Sequence, residues 1–173
     1  MQSLETLDHH NQTHNDIKPQ NFLVKFKNGP NDLTQIEIAL TDFGMAQSDS
    51  QGGTPIFASP ECFEKKDTKS DIFSLGRVIL FLVLTKQQFS KWLFVPIKTM
   101  NLPSPSHIIN LVAQMTSITN RIDLHLARII FNELRRNRQI LPTRSLIRSF
   151  NSIVNENLTS DYGLYVNELC DLR

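Results

Sequence analysis

The chain has 173 residues, with 18 Lys and Arg against 17 Asp and Glu, 40% hydrophobic and 20% charged residues. These are the proportions of a globular domain that can bury a core without disulfide or metal staples. A net charge of +1 supplies no long-range field to gather nucleic acid or anionic lipid, so neither is expected as a partner. Cys62 and Cys170 stand far apart and offer no disulfide framework or metal spacing, as in a reducing compartment. The first fifteen residues are polar and His-rich, without a signal-peptide core, and the longest apolar run, Val78 to Leu84, has seven residues where a membrane span needs about 20. A cytoplasmic location is expected, and the N-x-T triplets at Asn11 and Asn157 carry no expectation of glycosylation.

Phe22 to Phe26 and Gln35 to Leu40 are short β-prone runs joined by a turn containing NGPND, which predicts a hairpin. From Ser70 onward, DIFSLGRVILFLVLTK is apolar nearly all round and predicts a central helix buried on most faces, with Ser70 and Asp71 at its cap. Pro96, Pro103 and Pro105 predict a loop over 94–106, followed by a helix from Ser106 or His107 with the stripe Ile108, Leu111, Val112 and Met115. Thr119 or Asn120 is expected to cap a further helix with the stripe Ile122, Leu126, Ile129, Ile130 and Leu134. Leu146, Phe150, Ile153 and Val154 give the tail a weaker helical pattern. The basic stretch Arg135, Arg136, Arg138, Arg144 and Arg148 reads as a solvated face, and His9, His10 and His14 lack the partners of a metal cluster.

The chemistry concentrates in His14-Asn15-Asp16-Ile17-Lys18-Pro19-Gln20-Asn21, followed 21 residues after Asn21 by Asp42-Phe43-Gly44. These segments resemble the catalytic loop and the metal-binding motif of eukaryotic protein kinases. Gly53 to Glu61 (GTPIFASPE) resembles the end of the kinase activation segment, and Asp71 to Gly76 the start of the central helix; the resemblance runs over about residues 4 to 130. It implies a mainly α fold with a small β-hairpin, the C-lobe of a kinase, over residues 1–130, with a helical tail over 131–173. Leu4 and Leu7 fit the last turns of the helix that leads into the catalytic loop.

Phosphoryl transfer needs little covalent help from the protein, so positioning and charge neutralisation dominate. The resemblance gives Asp16 the substrate hydroxyl, Lys18 the travelling phosphoryl charge, and Asn21 and Asp42 the Mg²⁺, a cation that prefers oxygen ligands. Lys18, Asn21, Leu23 and Asp42 would face ATP. Thr54, seven residues before Glu61, sits where Ser/Thr-specific members bond the catalytic Asp and Lys, so a protein Ser or Thr is the expected acceptor. Glu61 with Arg121 is expected as a buried ion pair, Asp71 as the acceptor of catalytic-loop N–H groups, and His14 stacked near Phe43.

Asn15 stands where most of the family has an arginine that pairs with a phosphorylated loop, which argues against that control; Ser48, Ser50 and Thr54 remain weak phosphorylation candidates. The 173 residues hold no G-x-G-x-x-G run or V-A-I-K-like lysine. The chain is therefore expected to lack the β-rich N-terminal lobe and to expose Leu23 and Phe43. It should bind nucleotide no better than about millimolar and phosphorylate Ser/Thr peptides negligibly by itself. A separate N-lobe or kinase partner is the expected companion. The alternatives are a non-catalytic kinase-like binding module and, less favoured, a small-molecule phosphotransferase.

Overall fold

In the computed structural model, which describes residues 2–28, 36–46, 53–63, 68–84, 89–90 and 106–137, the chain opens with helix α1 (Gln2–His9). Leu4 and Leu7, one turn apart, are its buried residues. The helix ends because Asn11 adopts left-handed backbone (φ 51°), a conformation asparagine tolerates better than other non-glycine residues. The Asn11 N–H then reaches the Asp8 carbonyl at 2.9 Å and the Gln12 N–H the Leu7 carbonyl at 2.8 Å. Asn11 of the first N-x-T triplet is thus a helix terminator.

Strands β1 (Phe22–Phe26) and β2 (Ile36–Leu40) pair antiparallel, Phe22 opposite Leu40 and Phe26 opposite Ile36. Their alternation puts Phe22, Val24 and Phe26 with Ile36, Ile38 and Leu40 on one face and Leu23, Lys25, Glu37 and Ala39 on the other. The predicted hairpin is present, while Gln35 and the NGPND turn beyond Asn28 lie outside the described residues.

Helix α2 (Thr68–Val83) is the axis of the fold. Ile72, Phe73, Val78, Leu80 and Phe81 are all buried, with Leu80 fully so. At about 1.5–3 kcal/mol per buried side chain, this outweighs the tenths of a kcal/mol by which β-branched and aromatic residues disfavour a helix. The helix starts two residues before the expected Ser70, so Ser70 and Asp71 lie in its first turn instead of at its cap. That turn inward frees Asp71 to act on another segment.

Helix α3 (Ser106–Met115) starts where the sequence predicts, and Ile108, Leu111, Val112 and Met115 are all buried. It approaches α2 closely at Gly76, where a Cβ would lie 2.8 Å from Thr116 Cγ2 and 3.1 Å from Met115 Cβ. The Thr116 hydroxyl donates to the Val112 carbonyl at 2.8 Å, which holds the methyl in place. Gly76→Ala gains about 1 kcal/mol of helix propensity but overpacks this contact at a cost of about 1–3 kcal/mol. The expected outcome is a net loss of about 1 kcal/mol, read as a lower urea midpoint at unchanged slope.

Helix α4 (Leu124–Arg136) corrects the sequence reading in two ways. Its cap is Asp123, whose side chain accepts from the Leu126 N–H at 2.8 Å, and neither Thr119 nor Asn120. Its buried residues are Leu124, Ala127 and Leu134; Leu126 and Ile129 are exposed and Ile122 precedes the helix. Arg128 pairs with Glu5 at 2.8 Å and ties α4 to α1. Arg135 and Arg136 are exposed, as expected of a solvated face. The loop predicted over 94–105, Ser48, Ser50, Arg138, Arg144, Arg148 and the tail after Arg138 lie outside the described residues.

Candidate active site

The loop after α1 is held from beneath by α2. The Asp71 carboxylate accepts the His14 N–H at 2.6 Å and the Asn15 N–H at 3.0 Å. His14 is fully buried; its Nδ1 accepts the Asp16 N–H at 3.3 Å, so the ring proton sits on Nε2 and is donated to the Thr41 carbonyl at 2.9 Å. Its ring lies 5.1 Å from that of Phe43, centroid to centroid. Asn15 has left-handed backbone (φ 67°) and donates its side-chain N–H to the Met45 carbonyl at 3.0 Å.

This scaffold presents Asp16 as a hub. One carboxylate oxygen, Oδ1, accepts the Thr54 N–H at 3.0 Å and the Thr54 hydroxyl at 2.9 Å. The other, Oδ2, lies 2.6 Å from Lys18 Nζ. Asn21, which is buried, donates its side-chain N–H to the Asp16 carbonyl at 2.8 Å and to Asp16 Oδ2 at 3.4 Å. Burial pushes the Asp16 carboxyl up, but the bonds from Lys18 and Thr54 and the Lys18 charge outweigh it and hold the group below its ordinary value. Asp16 is therefore ionised and oriented at neutral pH.

Asp42 joins this hub through its neighbour. Thr41 donates its N–H at 2.9 Å and its hydroxyl at 3.1 Å to the Asn21 carbonyl, pinning the end of β2 to the loop after α1. The chain then turns through left-handed backbone at Asp42 (φ 63°, ψ 66°) into a single 3₁₀ turn, Phe43–Met45, and Asp42 is exposed. Asn21 spends its amide N–H on Asp16, so its oxygen points away from that carboxylate. A hard amide oxygen and an exposed carboxylate on tethered segments are donors that suit a hard cation retaining waters and ligand phosphates. Among the described residues no group of three His, Cys, Asp or Glu could hold a metal ion.

Lys18, Asn21 and Thr54 are thus each in direct contact with Asp16, and Asp42 is one residue from a contact. Leu23 stands apart, 61% exposed on the outer face of β1. Phe43 is exposed as expected, and so is Ile38. Glu61 and Arg121 form the anticipated pair: both guanidinium nitrogens Nη1 and Nη2 engage the carboxylate, the second at 3.1 Å from Oε2. Sequence reasoning missed Thr41 and Arg77, whose Nη1 donates to the Ile56 carbonyl at 2.6 Å. Thr41 carried a signal in its position directly before Asp42; Arg77 carried none.

The family model described as the protein kinase domain matches residues 1–153. The chain belongs to the protein kinase family. Among curated kinases, it is 31% identical over 137 residues to the probable serine/threonine-protein kinase nek3 of Dictyostelium discoideum, covering 70% of this chain and 12% of that protein. It is 31% identical over 103 residues to the serine/threonine-protein kinase ATG1 of Mycosarcoma maydis, covering 50% of this chain and 10% of that protein. It is 31% identical over 96 residues to the serine/threonine-protein kinase ATG1c of Arabidopsis thaliana, covering 50% of this chain and 12% of that protein. The kinase chain spans about a tenth of the length of these relatives. No helix among its described residues is long and apolar enough to cross a membrane.

Proposed function

We propose that these residues form the metal and hydroxyl half of a serine/threonine kinase active site, transferring the γ-phosphoryl group of Mg·ATP to a protein Ser or Thr. The observation that carries the reading is the convergence of Lys18, Asn21 and Thr54 on one ionised carboxylate, Asp16. Asn21 and Asp42 would hold Mg²⁺, which supplies charge neutralisation at the phosphates. Asp16 would align the substrate hydroxyl, and its lowered pKa suits a group that orients a hydroxyl and takes its proton late, as a loose transition state allows. Lys18, already beside Asp16, would neutralise the phosphoryl oxygens as they approach. Residues 1–130 would serve as the catalytic lobe and the remainder as a tail. Exposed Leu23 and Phe43 would be covered by nucleotide or by a kinase-type partner, and a non-catalytic binding role would also depend on them.

The test is calorimetric titration of Mg·ATP into the chain and into Asp42→Asn, a change that keeps shape and tolerates left-handed backbone. Binding is expected in the millimolar range, about 4 kcal/mol, dependent on Mg²⁺, and at least about tenfold weaker in the variant. Equal heats with and without Mg²⁺, or in the variant, would overturn the reading in favour of a binding module.

A further inference from the structure

The kinase reading leaves one charged group of the interior unused. Helix α2 is apolar around most of its circumference, yet Arg77 sits among Phe73, Val78 and Leu80. Removing a guanidinium from water is costly unless its contacts repay it. Burial drives this one down to about 10, still charged at neutral pH. Its contacts include an aromatic face and a carbonyl: its Cζ lies 4.7 Å from the centre of the Phe73 ring, and its Nη1 donates to the Ile56 carbonyl at 2.6 Å.

The position of Ile56 gives that bond its meaning. Ile56 lies inside a tight turn in which the Phe57 and Ala58 N–H groups both bond back to the Thr54 carbonyl, at 2.9 and 3.0 Å. Thr54, the first residue of the turn, makes two bonds to Asp16 Oδ1. The far end of the same segment is fastened separately through Glu61 and Arg121, and the Arg121 guanidinium also stands 4.7 Å from the Phe73 ring centre. Phe73 is therefore a shared base for two cationic arms, one on each half of the 54–61 segment. Phe57 adds an apolar anchor, buried against Phe81 and Phe89 with ring centres 5.8 and 6.3 Å away. That anchor fixes the ring and leaves the turn's own carbonyls unfixed; Arg77 holds the one at Ile56.

We infer that Arg77 is a positioning residue whose guanidinium clamps the Ile56 carbonyl to α2, so that the turn beginning at Thr54 is set against Asp16 before substrate arrives. The contacts stand by themselves; that the turn serves as a substrate seat rests on the kinase reading. Asn15 holds the Met45 carbonyl, ahead of that segment in the chain, through its side-chain N–H. Residues 54–61 are thus held at Ile56 and Glu61 by groups present in the unmodified chain. Lysine would be a poor substitute for Arg77, because a point charge lacks the planar face that rests on Phe73.

The experiment is amide hydrogen exchange on the full 173-residue chain, comparing wild type with Arg77→Met and Arg77→Lys. The Phe57 and Ala58 amides are expected to exchange about tenfold faster in Arg77→Met and several-fold faster in Arg77→Lys, with the amides of α3 unchanged. In parallel, the Thr54 amide proton, which is bonded to Asp16 Oδ1, is expected to exchange faster and its NMR signal to move upfield as that bond loosens. Unchanged Phe57 and Ala58 exchange, or an equal rise throughout α3, would overturn the inference, the second result meaning that Arg77 only stabilises the helix. Should Arg77→Met fail to fold, Arg77→Lys decides by the same two readouts. Neither readout requires nucleotide, so a chain that binds no Mg·ATP would defeat the kinase reading and leave this result standing.

Discussion

Asp71→Ala is expected to destabilise the chain by about 4 kcal/mol, a large part of the 5–15 kcal/mol that holds an ordinary domain together. The reason is geometric. Its carboxylate is the acceptor for two consecutive backbone N–H groups, those of His14 and Asn15, from a loop 56 or 57 residues away in sequence. Asp71 and His14 are both buried, so water cannot easily replace the lost acceptor. Each orphaned donor costs about 1–3 kcal/mol. Asp71→Asn keeps one acceptor oxygen but turns an amide N–H₂ toward the second donor, and should lose about half as much. Asp8→Ala, at an exposed position on α1, should stay within about 0.5 kcal/mol of wild type. Urea denaturation separates the three; a loss below about 1 kcal/mol for Asp71→Ala would show that the loop supports itself. Loosening at His14 should also reach Asp16, because the Asp16 N–H bonds to the His14 ring.

The parts of this architecture that sequence revealed are those in which chemistry or periodicity restricts residue type. The group from His14 to Asn21, the Asp42-Phe43-Gly44 triplet, and the Glu61, Asp71 and Arg121 partners were readable because their residue types and order resemble the motifs of protein kinases. Helix α3 was readable because Ile108, Leu111, Val112 and Met115 have one buried face and nothing competing with it. The start of α4 was misread because Thr119, Asn120 and Asp123 are all competent caps, and local sequence does not rank them. Tertiary structure decides: Arg121 is drawn toward Glu61, the Lys69 carbonyl and the Ser117 carbonyl, so the helix cannot begin before it. The delayed start rotates the buried stripe onto Leu124 and Ala127 and leaves Leu126 and Ile129 in water. Arg77 was unreadable for a related reason. Its burial depends on the Ile56 carbonyl, 21 residues away, and an arginine in an apolar helix gives no local sign of such a partner.

Glu61→Ala is expected to cost about 3–5 kcal/mol, the range for breaking a buried ion pair from one side, and to lower Tm by roughly 6–20 °C in a chain of this size. The exposure of the two partners explains why loss of the acid is so damaging. The Arg121 side chain is 4% exposed and that of Glu61 32%, so removing Glu61 strands a buried cation with, among the described residues, the Ser117 and Lys69 carbonyls as its acceptors. If the penalty is mainly that stranded charge, then Glu61→Gln with Arg121→Met should recover at least about half of the loss, because the double variant buries no charge and the methionine keeps its packing on Phe73. A double variant as unstable as Glu61→Ala would instead place the stabilisation in the pair's own attraction. Acid gives an independent check. Burial pushes the Glu61 carboxyl up, but the hydrogen bond and charge of Arg121 outweigh it and leave the group below its ordinary 4.5. A carboxyl lowered in the folded state stabilises fully above its unfolded value and loses that contribution as pH falls through the lowered folded value. The stability gap between wild type and Glu61→Ala should therefore be constant from neutral pH down to about 5 and shrink below 4.5, since protonation then does to wild type what the substitution has already done to the variant.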